Sequence, residues 1–248
     1  MKGFQDHFSA LATGYATFRP SYPPELFAFL ADLSAQRAVA WDCATGTGQA
    51  ALGLAGHFAQ VIATDASAAQ IAHAVPHPRI SYRVASAEAS GLADASVDLV
   101  TVAQAAHWFD LPAFYAEVRR VLRPGGVLAL WGYERLIVPN EIAETFQNFY
   151  EQTLAGFWPP ERHFVETGYR DLPFPLAPLM APEIALRAEW NLPQLLGYFG
   201  TWSAVKRCRE ATGCDPLLPL AAALESDWGS PAATKPLKWP TFWKLGRI

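Results

Sequence analysis

The chain has 248 residues, 51% of them hydrophobic and 17% charged, with a formal net charge of −4. That composition belongs to a globular chain with a sizeable core and excludes a disordered one. It also lacks the overall basic footprint of a nucleic-acid binder. Three cysteines, Cys43, Cys208 and Cys214, form no C-x-x-C pair, which argues against a disulfide framework and against zinc. His73 and His77 stand four apart, but Pro76 and Pro78 deny them a helix, so no metal site is expected. No apolar run reaches membrane-spanning length and no signal-type apolar stretch opens the chain, so the expected setting is the cytoplasm with no membrane partner.

In chain order, residues 4–18 read as a short amphipathic helix, and the Arg19–Pro24 stretch breaks it. Pro24 and Glu25 suit the first turn of a second helix over 24–34. Next comes Val39-Ala40-Trp41-Asp42-Cys43-Ala44-Thr45-Gly46-Thr47-Gly48-Gln49, an apolar run ending in an acid and followed by a turn with two glycines. Apolar residues at helical spacing continue to Phe58. Strand, Gly-rich turn and helix in that order open a nucleotide-binding βαβ unit. Ala44, where a further glycine would be unsurprising, asks for a backbone with φ < 0. A second strand, 60–65, ends in Asp65, which suits either a pair of ribose hydroxyls or the N-cap of a helix from Ala66-Ser67.

Residues 80–85 alternate as a third strand and 96–103 form a buried fourth. A helix over 111–122 is stopped by Leu122-Arg123-Pro124-Gly125-Gly126, and 127–132 is a fifth strand. Strands alternating with helices predict a parallel sheet covered on both faces. Beyond residue 135 the reading is a helix over 139–154, a proline- and aromatic-rich loop over 156–182, and a strand over 183–190. Helical patterns over 192–205 and 216–228 and a last strand over 236–246 complete it. Nothing in this pattern isolates a second domain.

Two cofactors fit the Gly-rich turn. Gly46-Thr47-Gly48-Gln49-Ala50-Ala51 satisfies the G-x-G-x-x-G/A pattern of dinucleotide sites. Asp42 at the strand end would repel a pyrophosphate, however, and would suit a ligand with an ammonium group, such as S-adenosylmethionine (SAM). The run D-x-A-x-G-x-G resembles the first motif of class I SAM-dependent methyltransferases. VDLVTVAQAAHWFD resembles that family's fourth motif and VLRPGGVLALW its entry to the fifth strand. YATFRPSYPPELFAFLA, AQAAHWF and WPTFWKLGR look like its small-molecule branch, which includes trans-aconitate-type enzymes.

The resemblance implies a Rossmann-like, seven-stranded, mostly parallel α/β sheet closed by a C-terminal antiparallel β-hairpin strand. The whole chain is then one domain: a helical lid (1–34), a SAM-binding core (35–135) and a C-terminal part with substrate-wall helices (136–248). It implies cofactor contacts from Tyr15, Arg19, Asp42, Ala44, Gly46, Gly48, Asp65, Ala66, Ser86, Ala87 and Gln104. By the rule that open α/β sheets react beyond their strands' carboxyl ends, Gln104 to Trp108 is where chemistry belongs. His107 is the candidate catalytic residue, as base, hydrogen-bond donor or merely a packed histidine. Tyr22, Trp108 and Tyr133, with Trp131, are candidate walls for a small-molecule acceptor. Arg19 suits the carboxylate of the cofactor's methionine end or an acidic substrate. A nicotinamide-linked reductase is the competing enzyme, but Tyr82, Tyr115 and Tyr133 have no lysine four residues on. A catalytically silent SAM-binding module is the third reading.

Overall fold

The computed structural model describes residues 18–248, so the helix read over 4–18, all but Phe18, and the candidate Tyr15 lie outside the described residues. From there the elements run α1 (Pro24–Leu33), β1 (Val39–Cys43), α2 (Gln49–Ala55), β2 (Gln60–Asp65), α3 (Ala68–Ala72), β3 (Ile80–Val84), β4 (Val97–Ala103), α4 (Leu111–Val121) and β5 (Leu122–Tyr133). They continue α5 (Asn140–Asn148), α6 (Arg162–Glu166), β6 (Ala177–Pro178), β7 (Ala185–Trp190), α7 (Leu192–Gly200), α8 (Ser203–Thr212), α9 (Leu217–Trp228) and β8 (Lys235–Arg247).

The strands form one sheet in the order β3-β2-β1-β4-β5-β8-β6, with β7 also paired to β8. β1 to β5 are mutually parallel. β8 runs antiparallel to β5 through Thr241–Arg247 and antiparallel to β7 through Lys235–Pro240. One long strand therefore serves β5 along its second half and β7 along its first, and three helices join it to β7 instead of a tight turn. The sheet has eight strands, one more than expected, because the two-residue β6 lies against Gly246 and Arg247.

Each face of the sheet buries a separate core. α1 and α2 cover one face with Leu26, Leu30, Ala51 and Leu54 against Ala40, Val61, Leu99 and Val127. α4 covers the other with Phe114, Val118 and Val121 against Trp41, Val100 and Leu128. Burial on both faces explains why β4 reads as an unbroken apolar run. α1 thus belongs to the sheet's own layer, which narrows any lid to residues before Pro24. A third core gathers Tyr133, α5, α7, α8, α9, β7 and the first half of β8. It sits over the carboxyl edge of the sheet.

Several boundaries differ from the sequence reading. The Pro-Gly-Gly stretch after α4 is already extended as the start of β5, with a register shift between Val97 and Leu99 absorbing it. The helical pattern over 192–205 breaks at Thr201-Trp202. Trp202 is extended there (φ −79, ψ 135) and its ring packs against Phe149, Tyr150, Trp158 and Phe199. Helical phase alone carries no information about that wedge. α8 then runs to Thr212, farther than the pattern reached, and ends on Gly213 in the left-handed conformation.

Candidate active site

The loop after β1 folds back onto the end of β2. The Thr45 amide donates to the Thr64 carbonyl (2.9 Å) and the Gly46 amide to Asp65 Oδ2 (2.9 Å). Gly46 and Gly48 are left-handed (φ +58 and +89), as two glycines permit. Ala44 is left-handed too (φ +55), contrary to the φ < 0 expected of it, at a backbone cost of roughly 1–2 kcal/mol. The loop's closure onto β2 outweighs that cost. A Cβ on Gly48 would lie 2.3 Å from the Tyr82 hydroxyl, which is tied to the Val75 carbonyl at 3.0 Å. A side chain at Gly48 would have to displace that phenol.

Asp65 clamps the loop: its second oxygen accepts from the Ser67 amide at 2.8 Å. It is not the cap of α3, because the Ser67 hydroxyl accepts the Gln70 amide instead. The Ala85 amide donates to the Asp65 carbonyl, which brings Ser86 and the buried Ala87 to the same end of β2. Ala66 lies in the turn between Asp65 and Ser67.

Asp42 lies beneath the loop, almost wholly buried. Its carboxylate accepts from the Thr45 hydroxyl (2.5 Å) and the Thr101 hydroxyl (2.8 Å). Burial raises its pKa to about 6, partly opposed by those two hydroxyls. The neighbouring Cys43 thiol is pushed up, first by burial and then by Asp42, Glu88 and Asp65. Three carboxylates thus act on one end of the sheet, and their field disfavours a pyrophosphate and favours a cationic ligand. The Cβ-free cradle, the Asp65 clamp and this field together fit SAM better than a dinucleotide.

A cleft opens beside the loop, beyond β4 and β5. It brings together Arg19, Gln104, His107, Trp108 and Tyr133. Gln104 turns the chain there in the left-handed conformation (φ +58), with its amide bonded to the Trp131 carbonyl and its side chain to the Tyr133 carbonyl. Arg19 donates to the Tyr133 hydroxyl at 2.7 Å and lies over the Tyr198 ring. Opposite, Arg162 donates to the Tyr150 hydroxyl (3.0 Å) and stacks over Trp158. Tyr198 and Trp202 complete the wall. His107 sits in a single turn of 3₁₀ helix after β4, its ring 4.8 Å from that of Trp108. Burial, and secondly the Arg162 charge, push its pKa down to about 3, so the imidazole is neutral at physiological pH.

Two expected wall residues lie elsewhere. Trp131 is fully buried between Tyr22 and Trp243 as core. Tyr22 packs edge-on against Trp131 and Phe27 and does not line the cleft. Arg162, Tyr150, Trp158, Tyr198 and Trp202 escaped the sequence reading. Their signal was the density of aromatic and cationic residues in and around a proline-rich stretch.

The depressed His107 pKa predicts an acid effect. The unfolded state binds a proton on His107 near pH 6.5 and the folded state only near 3. The stability this residue contributes is therefore present above pH 6.5 and is lost as pH falls toward 3. Between pH 7 and pH 5, His107→Gln should lose less stability than the wild type, by about 1–2 kcal/mol after discounting for partial solvation. Urea unfolding at the two pH values measures this, and parallel curves for the two proteins would refute it.

A family profile for the methyltransferase domain matches residues 41–130. A Dictyostelium discoideum protein provisionally assigned as a methyltransferase is 36% identical over 204 residues, covering 81% of this chain and 78% of that protein. An uncharacterised methyltransferase of Mycobacterium tuberculosis is 38% identical over 141 residues, and the matched part spans 55% of this chain and 57% of the relative. A solved Anaeromyxobacter dehalogenans structure, described as a type II methyltransferase, superposes with a TM-score of 0.88. It is 48% identical and covers 93% of this chain and 98% of its own. With the Gly-rich loop, its acids and the adjoining cleft, this similarity establishes that the chain belongs to the class I SAM-dependent methyltransferases.

Proposed function

We propose that the enzyme transfers a methyl group from SAM to a small-molecule acceptor held in the aromatic cleft. The observation that carries the reading is the adjacency of two sites of opposite character. The loop over residues 42–48 lies in a carboxylate field, whereas the cleft beyond β4 is walled by aromatic rings and guanidinium groups. Such a cleft suits a small acceptor with an apolar body and an anionic group.

When bound, SAM supplies a methyl carbon already activated by its sulfonium. The chain's own residues hold, align and dry the reactants. Asp65 would accept hydrogen bonds from the ribose hydroxyls through lone pairs left by the Gly46 and Ser67 amides. Backbone at Ala44, Gly46, Gly48 and Ala66 forms the cradle, and Ser86 and Ala87 would border the base. Asp42 acts through its field, since it lies almost wholly buried beneath the loop. Arg19, with Tyr15, would serve the carboxylate of the methionine end, and Gln104 would separate cofactor from acceptor. In the cleft, Trp108 and Tyr133 would flank the acceptor and His107 would contact it. Tyr22 would act only from behind Trp131. Residues before Pro24 would close over the site.

Calorimetry with S-adenosylhomocysteine and with NADH tests the cofactor, and binding of NADH alone would reverse the assignment. For the acceptor, small anions can be screened by S-adenosylhomocysteine release. On any acceptor found, Arg162→Gln should lower kcat/KM by roughly 10- to 100-fold, the worth of one hydrogen bond to a charged group. Affinity for S-adenosylhomocysteine should be unchanged. Undiminished kcat/KM would remove Arg162 from acceptor binding.

A further inference from the structure

His107 and Tyr169 are 62 positions apart in sequence, yet the Tyr169 hydroxyl lies 2.9 Å from His107 Nδ1. Tyr169 is fully buried. It is also one of few non-glycine residues with positive φ (+58), directly after Gly168 at the same angle. A bulky residue in that region is strained, and such strain persists only where its surroundings impose it. Here the surroundings are specific. The Tyr169 amide donates to the Phe164 carbonyl at 2.7 Å and its ring packs edge-on against Phe242 on β8. The loop following α6 is thereby bent to drive the phenol under the 3₁₀ turn that carries His107.

Counting acceptors fixes the direction of the hydrogen bond. Among the described residues the Tyr169 hydroxyl makes one hydrogen bond, the one to His107 Nδ1. Were Nδ1–H the donor, the buried phenol would be left with its own proton and no acceptor for it. Among the described residues, His107 Nδ1 is the acceptor that this proton reaches, while nearby Tyr115 donates to the Pro173 carbonyl. The arrangement that gives the buried phenol proton an acceptor has Tyr169 donating to an unprotonated Nδ1. The imidazole proton then resides on Nε2, which has no hydrogen-bond partner among the described residues and is the nitrogen left for the cleft.

We propose that Tyr169 is a positioning residue that holds His107 in its Nε2–H tautomer, so that His107 presents a hydrogen-bond donor to the acceptor cleft rather than a base. In this state the lone pair that could take a proton points at Tyr169, away from the cleft. The inference rests on the methyl-transfer reading only for the identity of what occupies the cleft; the tautomer itself does not depend on it.

The test is nitrogen NMR of 15N-histidine-labelled full-length protein, with His107 assigned by loss of its signals in His107→Gln. At pH 7 the wild type should show a protonated Nε2 and an unprotonated Nδ1. In Tyr169→Phe, which keeps the ring but not the donor, the Nδ1–H tautomer should gain at least several-fold. His107 should then titrate at higher pH. A wild-type His107 protonated on Nδ1, or the same tautomer ratio in Tyr169→Phe, would overturn the proposal. Should Tyr169→Phe not fold, the wild-type spectrum alone decides. Loss of the methyl-transfer reading would appear separately, as absent S-adenosylhomocysteine binding with the tautomer intact.

Discussion

Asp65→Ala is expected to weaken binding of S-adenosylhomocysteine by about 100-fold or more. Both carboxylate oxygens are engaged within the protein, one with the Gly46 amide and one with the Ser67 amide. Hydrogen bonds to a charged group are worth roughly 1.5–3 kcal/mol each, and 1.4 kcal/mol is tenfold in affinity. The substitution therefore removes the partner proposed for the ribose hydroxyls and also frees the loop that forms the cradle. A stability loss of about 2–3 kcal/mol should accompany the loss of affinity, because two amides are left unsatisfied. Asp65→Asn keeps an acceptor for one amide and should fall between. Calorimetry and denaturant unfolding separate the two effects. Wild-type affinity in a folded Asp65→Ala protein would dismiss Asp65 as a cofactor ligand.

Gly48→Ala should be strongly damaging, because it adds a steric collision to a left-handed backbone. The residue sits at φ +89 and the added carbon would lie 2.3 Å from the Tyr82 hydroxyl. Left-handed backbone costs a residue with a side chain roughly 1–2 kcal/mol, and overpacking adds about 1–3. A destabilisation of about 2–5 kcal/mol is expected, with a matching loss of cofactor affinity because relief requires the cradle to move. The collision is with one side chain, so Tyr82→Ala in the same chain should recover part of it. A double-mutant cycle should then show coupling of at least ~1 kcal/mol. Additive effects, or a Gly48→Ala protein melting with the wild type, would mean that the loop and Tyr82 are not in contact.

How far the sequence could be read depended on the range of the forces involved. Strand and helix periodicities are local, and so is the turn chemistry of Gly46 and Gly48. The βαβ opening, the buried β4 and the last strand were therefore legible, along with Asp42 and Asp65 as the acids that bracket the loop. Ala44 was misread because propensity alone argued against a left-handed alanine. The hydrogen bonds that enforce that conformation come from β2, beyond any local window.

The amino-acid sequence by itself determined the doubly covered parallel sheet, its Gly-rich loop and the place of His107 at the carboxyl edge. The tertiary structure alone decided what faces His107. Arg19 meets Tyr133 across 114 positions and Tyr169 meets His107 across 62. Arg162 and Trp158 come from a stretch with little regular periodicity. Trp131 and Trp158 are the same residue type, yet one is core and the other lines the cleft. Burial of an aromatic ring is non-directional and set by whichever elements pack around it, so residue type cannot say which wall it will join. The neutral state of His107 likewise depends on burial and on the Arg162 charge, and its Nδ1 meets a phenol delivered by a strained loop. All three exist only once distant segments have packed together.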